Sequence, residues 1–329
     1  MTLKNKRILI IGGTGSLGHA LVKYLHRDNQ LWVLSRDEIK QWLMQNKYPK
    51  NKSINYYICD IRDYEALEKA ILYIRPQIII NASAIKQIPV CEKFPIECVK
   101  TNITGIENLI RICTHTYEPE VVLGISTDKA CLPINAYGMC KAIGEKLYLS
   151  ANNTGGSDTK FLCVRYGNVL ESRGSIIPLF KYHARTDKVY YLTHLEMTRF
   201  FISLDESVRL IIAAILWGEK GDILVPIIKS GRICDLIEIF IEKHGGRQEV
   251  IGIRAGEKIH EELINEDESR RIHKLNNRYL IIRATAKSHP RRYSSDMYLL
   301  EKEQLKKYLE ENNVFDKEFE TYKENEVKF

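Results

Sequence analysis

Short apolar runs alternate with amphipathic stretches through the first half of the chain. The runs at residues 7–11, 32–35, 55–58, 78–81, 121–126 and 161–165 predict buried strands, and the segments 17–26, 63–74, 97–114 and 136–150 carry apolar residues at helical spacing. Strands and helices in alternation predict a parallel sheet covered on both faces. This is an α/β, Rossmann-type doubly wound fold, with ligands expected at the carboxyl ends of the strands. After residue 166 the alternation weakens, and helical patterns at 205–217 and 233–244 predict a smaller C-terminal lobe. The organisation expected is 1–166 for the dinucleotide half, 167–300 for a substrate lobe that interleaves with it in part, and 301–329 as a charged tail, read as a solvated helix and a loose end. The cluster Asn-Asn-Thr-Gly-Gly-Ser-Asp at 152–158 reads as a surface turn.

The 329 residues are enough for one large or two small domains, and 44% hydrophobic with 28% charged residues matches a globular protein. The net charge of +7 is spread along the chain. It favours small anionic ligands over nucleic acid, for which no basic aromatic patch is present. Eight cysteines form no C-x-x-C pair and no cluster at metal-ligand spacing, so they read as reduced core thiols of a cytoplasmic protein without a metal site. No apolar run approaches the ~18 residues of a membrane span, and the short run at 8–11 is not a signal-peptide core.

The first chemistry lies in Ile8-Leu-Ile-Ile-Gly-Gly-Thr-Gly-Ser-Leu-Gly. Gly12, Gly15 and Gly18 follow a strand and open a helix, where they serve the tight turn, the approach of a pyrophosphate and helix packing. Thr14, Ser16 and Leu17 complete the turn, whose amide groups face a phosphate. At the end of the second strand, Ser35 and Arg36 favour the 2′-phosphate of NADP, while Asp37 keeps NAD open. Asp60, followed by Ile61, is placed to accept from adenine or to cap the next helix. Ser126-Thr127-Asp128-Lys129 ends the fifth strand, and Tyr137 and Lys141 stand one turn apart on the next helix. A phenol is a base near neutral pH only if a cation stabilises the phenolate, as Lys141 would. Asp128 and Lys129 set an acid beside a base where substrate chemistry occurs. Whether burial or the Asp128 charge governs Lys129 stays open.

These residues resemble the extended short-chain dehydrogenase/reductase superfamily. Further motifs narrow the likeness: Ala84-Ile-Lys-Gln-Ile-Pro, Lys100-Thr-Asn-Ile-Thr-Gly, Pro133-Ile-Asn-Ala-Tyr-Gly, Arg165-Tyr-Gly-Asn-Val-Leu, Met197-Thr-Arg-Phe-Phe and Gly256-Glu-Lys-Ile-His-Glu-Glu. As a set they are similar to the UDP-N-acetylglucosamine 4,6-dehydratases that invert C5, over about residues 5–290; Ile11, where the superfamily often has Thr, departs from the pattern. The resemblance implies a tightly bound, recycled NADP, contacted also by Ala82, Ser83, Ala84, Lys86 and Asn102. It implies a UDP-sugar held by Lys86, Thr127, Asn168, Arg173, Ile176, Pro178, Arg199, Arg254 and Glu257, with His260 nearby. In that family's chemistry Tyr137 and Lys141 serve oxidation at C4, Lys129 removes and returns the C5 proton, and Asp128 protonates the departing 6-hydroxyl. Relatives that retain C5 carry Thr-Asp-Glu where this chain has Thr127-Asp128-Lys129, which makes Lys129 the most informative residue. The implied product is a UDP-2-acetamido-2,6-dideoxy-β-L-arabino-hex-4-ulose, and the implied assembly is a homo-oligomer. A C5-retaining dehydratase, a C4 epimerase and a non-catalytic NADP-binding regulator are the competing readings.

Overall fold

A computed structural model describes residues 3–49, 51–153, 157–283 and 292–315. Six strands of the first half, β1 (Arg7–Ile11), β2 (Gln30–Ser35), β3 (Ile54–Ile58), β4 (Ile78–Asn81), β5 (Val121–Thr127) and β6 (Lys160–Tyr166), lie in the order 3-2-1-4-5-6. All of these pairs are parallel. The crossover helices are α1 (Ser16–Leu25), α2 (Glu38–Lys47), α3 (Tyr64–Ile74), the short α4 (Ile88–Lys93) and α5 (Pro95–Val99), then α6 (Gly105–His115) and α7 (Ala136–Ala151). Alternate residues of β1 enter different cores: Ile8 and Ile10 pack on one side of the sheet, Leu9 and Ile11 on the other. That two-sided burial is why the strands read as continuous apolar runs.

The six predicted strands and the helices α1, α3 and α7 stand within two residues of their expected bounds. The helix predicted over 97–114 is broken, because a π-helical turn at Lys100–Thr104 separates α5 from α6. Asn102, in this turn, accepts from Ile85 N at 2.9 Å and donates to Ile85 O at 2.8 Å. The wider turn thus clamps the loop that follows β4. α2 was not foreseen, since its sequence is mostly polar and buries only Gln41 and Met44.

The second half returns to the same sheet. Strand Ile223–Pro226 adds parallel to β6, and Tyr279–Ile282 and Ile272–Lys274 extend it antiparallel, giving nine strands among the described residues. The rest of this half, with α8 (Ile176–Arg185), α9 (Leu204–Trp217) and α10 (Ile233–His244), supplies the strand Thr198–Ile202 and the loop 251–261 that face the first half. The helix Lys302–Glu311 corrects the expectation of a merely solvated helix: Leu305, Leu309 and Val314 are fully buried in the core that holds Phe240. One apolar face among many charges is enough to dock it. Residues 316–329 and part of the turn cluster at 152–158 fall outside the described residues. No described helix is long and apolar enough to cross a membrane.

Candidate active site

A cleft of about 1190 Å³ runs along the carboxyl ends of β1, β2, β4 and β5 and under the second lobe. The strand order reverses between β1 and β4, which opens a crevice there. At its floor Gly12 has φ +75°, and a Cβ on it would lie 2.7 Å from the Ser83 backbone, so only glycine lets the β1 turn meet the loop after β4. α1 begins in this turn with no side-chain cap, which leaves its first amide groups for a ligand. Arg173 N donates to Ser16 Oγ at 3.0 Å, so a loop of the second half crosses over the phosphate turn.

At the β2 end, Ser35 is fixed by Gln41, whose Nε2 donates to its Oγ at 3.0 Å. Asp37 caps α2 through Lys40 N (2.9 Å) and takes Lys40 Nζ at 2.6 Å, which holds its carboxyl below the ordinary value. Asp60 does not cap α3; Asp63 does, accepting from Ala66 N at 3.0 Å. Asp60 is paired with Arg62 at 2.7 Å and Arg36 at 3.5 Å.

The chemistry-bearing groups meet where β5 ends. Asp128 is fully buried; its Oδ1 accepts from Thr127 Oγ1 at 2.9 Å and from Lys129 Nζ at 3.0 Å, while Oδ2 has no hydrogen-bond partner among the described residues. Burial pushes its carboxyl above the ordinary value, and Lys129 offsets this only in part. Lys129 Nζ also reaches Asn168 Oδ1 at 3.3 Å and Glu261 Oε1 at 3.4 Å. Burial works against its charge, yet the Asp128 and Glu261 carboxylates outweigh burial and raise it above the ordinary lysine value. Of the two influences left open by the sequence, the neighbouring carboxylates thus favour the ammonium over the amine.

α7 starts against this corner. Asn135 caps it by accepting from Gly138 N at 2.8 Å, and a Cβ on Gly138 would lie 2.3 Å from Lys129 O, so glycine permits the close approach. Tyr137 is buried, and burial and the Asp128 charge drive its phenol upward. Lys141 donates to Ile125 O at 2.8 Å, and burial lowers its amine. The phenol thus depends on an added cation to become a base, because the protein around it opposes ionisation.

The structure brings nearly all the expected site residues to one cleft. Gly12, Thr14, Gly15, Ser16, Leu17, Gly18, Ser35, Arg36, Asp60, Ile61, Ala82, Ser83, Ala84, Lys86, Thr127, Lys129, Tyr137, Lys141, Asn168, Arg173, Ile176, Arg199, Arg254 and Glu257 line it. Asp128 sits beneath Lys129. Asn102 and Pro178 are buried outside the lining, Asn102 hydrogen-bonded to Ile85, which does line it. Arg199 lines the cleft with its guanidinium engaged: NH1 donates to Thr198 O (2.7 Å) and Ile259 O (3.0 Å), and NH2 to Lys258 O (2.9 Å). Arg254 is exposed beside Glu257 at 3.8 Å. His260 lies off the cleft, half-buried against Thr198 Oγ1 at 2.9 Å. Glu261 was missed as a site residue, although it stands in the Gly256-Glu-Lys-Ile-His-Glu-Glu motif; only the fold brings it to Lys129. Lys40 was missed as well, since a helix-surface lysine has no signature of its own.

Sheet order, phosphate turn and the Tyr137/Lys141 pair at the start of α7 define a nucleotide-sugar dehydratase or epimerase of the extended short-chain dehydrogenase/reductase type. Within that class the chain belongs to the family of polysaccharide biosynthesis proteins, which its residues 8–283 match. It is 40% identical over 281 residues to the UDP-N-acetylglucosamine 4,6-dehydratase (inverting) of Campylobacter jejuni, covering 84% of this chain and 82% of that protein. It is 39% identical over 288 residues to the UDP-glucose 4-epimerase of Rickettsia bellii, covering 84% and 83%. Among solved structures, Pen from Bacillus thuringiensis superposes with a TM-score of 0.90 at 32% identity, covering 96% of this chain and all of that one.

Proposed function

We propose that the protein is a UDP-N-acetylglucosamine 4,6-dehydratase that inverts C5, and that it works with NADP. The observation that carries the reading is the Asp128–Lys129 pair, 3.0 Å apart just after β5 and beside Tyr137, with Asp128 fully buried and Lys129 lining the cleft. A C4 epimerase needs no such acid and base for C5 and the 6-hydroxyl. The uncapped α1 terminus and the Gly12 turn fit a dinucleotide pyrophosphate. For the 2′-phosphate, Arg36 and Lys40 are cations lining the same end of the cleft, while the Asp37 carboxylate is already held by Lys40. Lys86 lies close enough to both Lys129 and Arg173 for their charges to act on it, a setting that favours an anionic substrate.

A bound nicotinamide dinucleotide supplies the hydride acceptor for C4 and the hydride donor for C6. Tyr137 takes the proton of O4, with Lys141 one turn further along α7. The 4-ketone then acidifies the C5 proton. Lys129 is an ammonium at rest, so the reactive arrangement requires its proton to pass along the 3.0 Å hydrogen bond to Asp128 Oδ1. That single shift makes a neutral amine and a neutral carboxylic acid together, and the burial that raises Asp128 favours it. The amine removes the C5 proton, and Asp128 gives its proton to O6, which leaves as water. The renewed Lys129 ammonium returns a proton to C5 from the other face, which inverts the centre.

Incubation of the protein with UDP-N-acetylglucosamine in deuterated water, followed by NMR, tests this. A 4-keto-6-deoxy sugar of L-arabino configuration with deuterium at C5 is the expected product. A C6-methyl product of D configuration, or a C4 epimer that keeps its 6-hydroxyl, would overturn the reading.

A further inference from the structure

The proton balance of this mechanism leaves a debt at the Asp128–Lys129 pair. Each turnover gives one proton from Asp128 to the leaving water. Lys129 gains a proton from C5 and loses one back to it. The pair therefore ends as a neutral amine beside a carboxylate, one proton short of its resting state, while the O4 proton has gone to Tyr137. Something must favour the return of a proton from solvent to this buried place.

Glu261 is positioned to do so. It is buried, with its side chain only 3% exposed, and its Oε1 lies 3.4 Å from Lys129 Nζ. Two cations lie near the same carboxylate without hydrogen-bonding it, Lys258 at 3.8 Å and Arg199 at 4.0 Å, and its Oε2 has no hydrogen-bond partner among the described residues. Both are anchored elsewhere, Lys258 by donating to Cys131 O at 2.6 Å and Arg199 by its bonds to backbone carbonyls. Burial opposes the charge of this carboxylate, but Lys129 and these cations outweigh it and hold the carboxyl below its ordinary value. The groups acting on Lys129 are then the Asp128 and Glu261 carboxylates on one side of the balance and the Arg199 and Lys86 cations on the other, with Asn168 as a neutral acceptor.

We propose that Glu261 is a positioning residue for Lys129: its buried carboxylate, 3.4 Å from the amine, keeps the amine beside Asp128 and draws back the proton that each turnover removes from the pair. The proposal rests on the dehydratase reading for its consequence in turnover, but the coupling itself can be read without substrate. Protein labelled with 13C at lysine Cε gives a Lys129 resonance identified by its loss in Lys129→Arg. In Glu261→Gln the midpoint of that resonance should fall by about one pH unit or more, because removing a nearby negative charge destabilises the ammonium. In Glu261→Asp, which withdraws the charge by one methylene, it should fall by about half as much, and this variant carries the test if the Gln variant does not fold.

With UDP-N-acetylglucosamine, Glu261→Gln should lose at least ~10-fold in kcat with KM changed less than ~3-fold, and the alkaline limb of kcat should move to lower pH. Unmoved Lys129 midpoints in the variants that fold would overturn the proposal. So would a raised KM with kcat and midpoint unaltered, which would make Glu261 a substrate contact. Wild-type protein that forms no product would sink the dehydratase reading instead, leaving the Lys129 titration to judge Glu261.

Discussion

Lys129 illustrates how one side chain draws its chemistry from its surroundings. An isolated lysine is no base near neutral pH; beside Asp128 it becomes half of a proton store. Lys129→Ala should leave dinucleotide binding intact while abolishing deuterium entry at C5 and product formation, and normal turnover would remove the base assignment. At the far end of the cleft, Arg36→Ala should weaken NADP about 10-fold or more and NAD far less, as for loss of one charge-assisted contact to a phosphate. Titration of both dinucleotides by fluorescence checks it, and equal losses would show that Arg36 does not read the 2′-phosphate. That Arg36 and Lys129 would line one cleft was legible in the sequence, since both stand in motifs at strand ends. Their surroundings were not: Lys129 lies 3.4 Å from Glu261, 132 residues further along the chain, and beside a fully buried Asp128, which no motif encodes.

At the scale of elements, β5 and α7 must keep a fixed relation, because β5 leads directly into Asp128 and Lys129 and α7 carries Tyr137 and Lys141. A buried ion network beneath the cleft ties them. Glu145 of α7 accepts from Ser126 Oγ of β5 at 2.5 Å and from Arg165 of β6 at 2.9 and 2.6 Å, and Arg165 also pairs with Glu268 at 2.8 Å. Breaking such a network by removing one partner strands a buried charge. Glu145→Ala should cost about 3–5 kcal/mol in denaturant unfolding. A loss under ~1 kcal/mol would mean that water or relaxation replaces the pair. Elements with a strong period, such as β1, β5 and α7, were readable from sequence within two residues. The π turn before α6 was not, because its cause is the distant backbone of Ile85, and α2 was not, because it buries too little to leave a period.

At the scale of the whole molecule, the two halves are not serial. The second half contributes both the loop bearing Glu261 and three strands of the main sheet, and its final described helix closes a core around Phe240. Leu305→Ala, in that helix, should destabilise the protein by about 2–5 kcal/mol, measured by thermal or denaturant unfolding. A helix that were only solvated would show almost no change. The sequence suggested that the second half interleaves with the first but not which strands rejoin the sheet, since strands such as Ile272–Lys274 are short and polar and acquire their role by pairing.

The pairing of β6 with Ile223–Pro226 has a consequence for biosynthesis. When β6 leaves the ribosome, the strand that will cover its edge has not yet been translated. Until residue 226 emerges, the nascent chain carries an open edge in the middle of its future sheet, the kind of surface that recruits other strands. A fragment ending at Tyr166 should therefore self-associate in light scattering, and a monodisperse monomer would refute this. The interval between those two strands is the period in which the growing chain most depends on a chaperone or on prompt elongation.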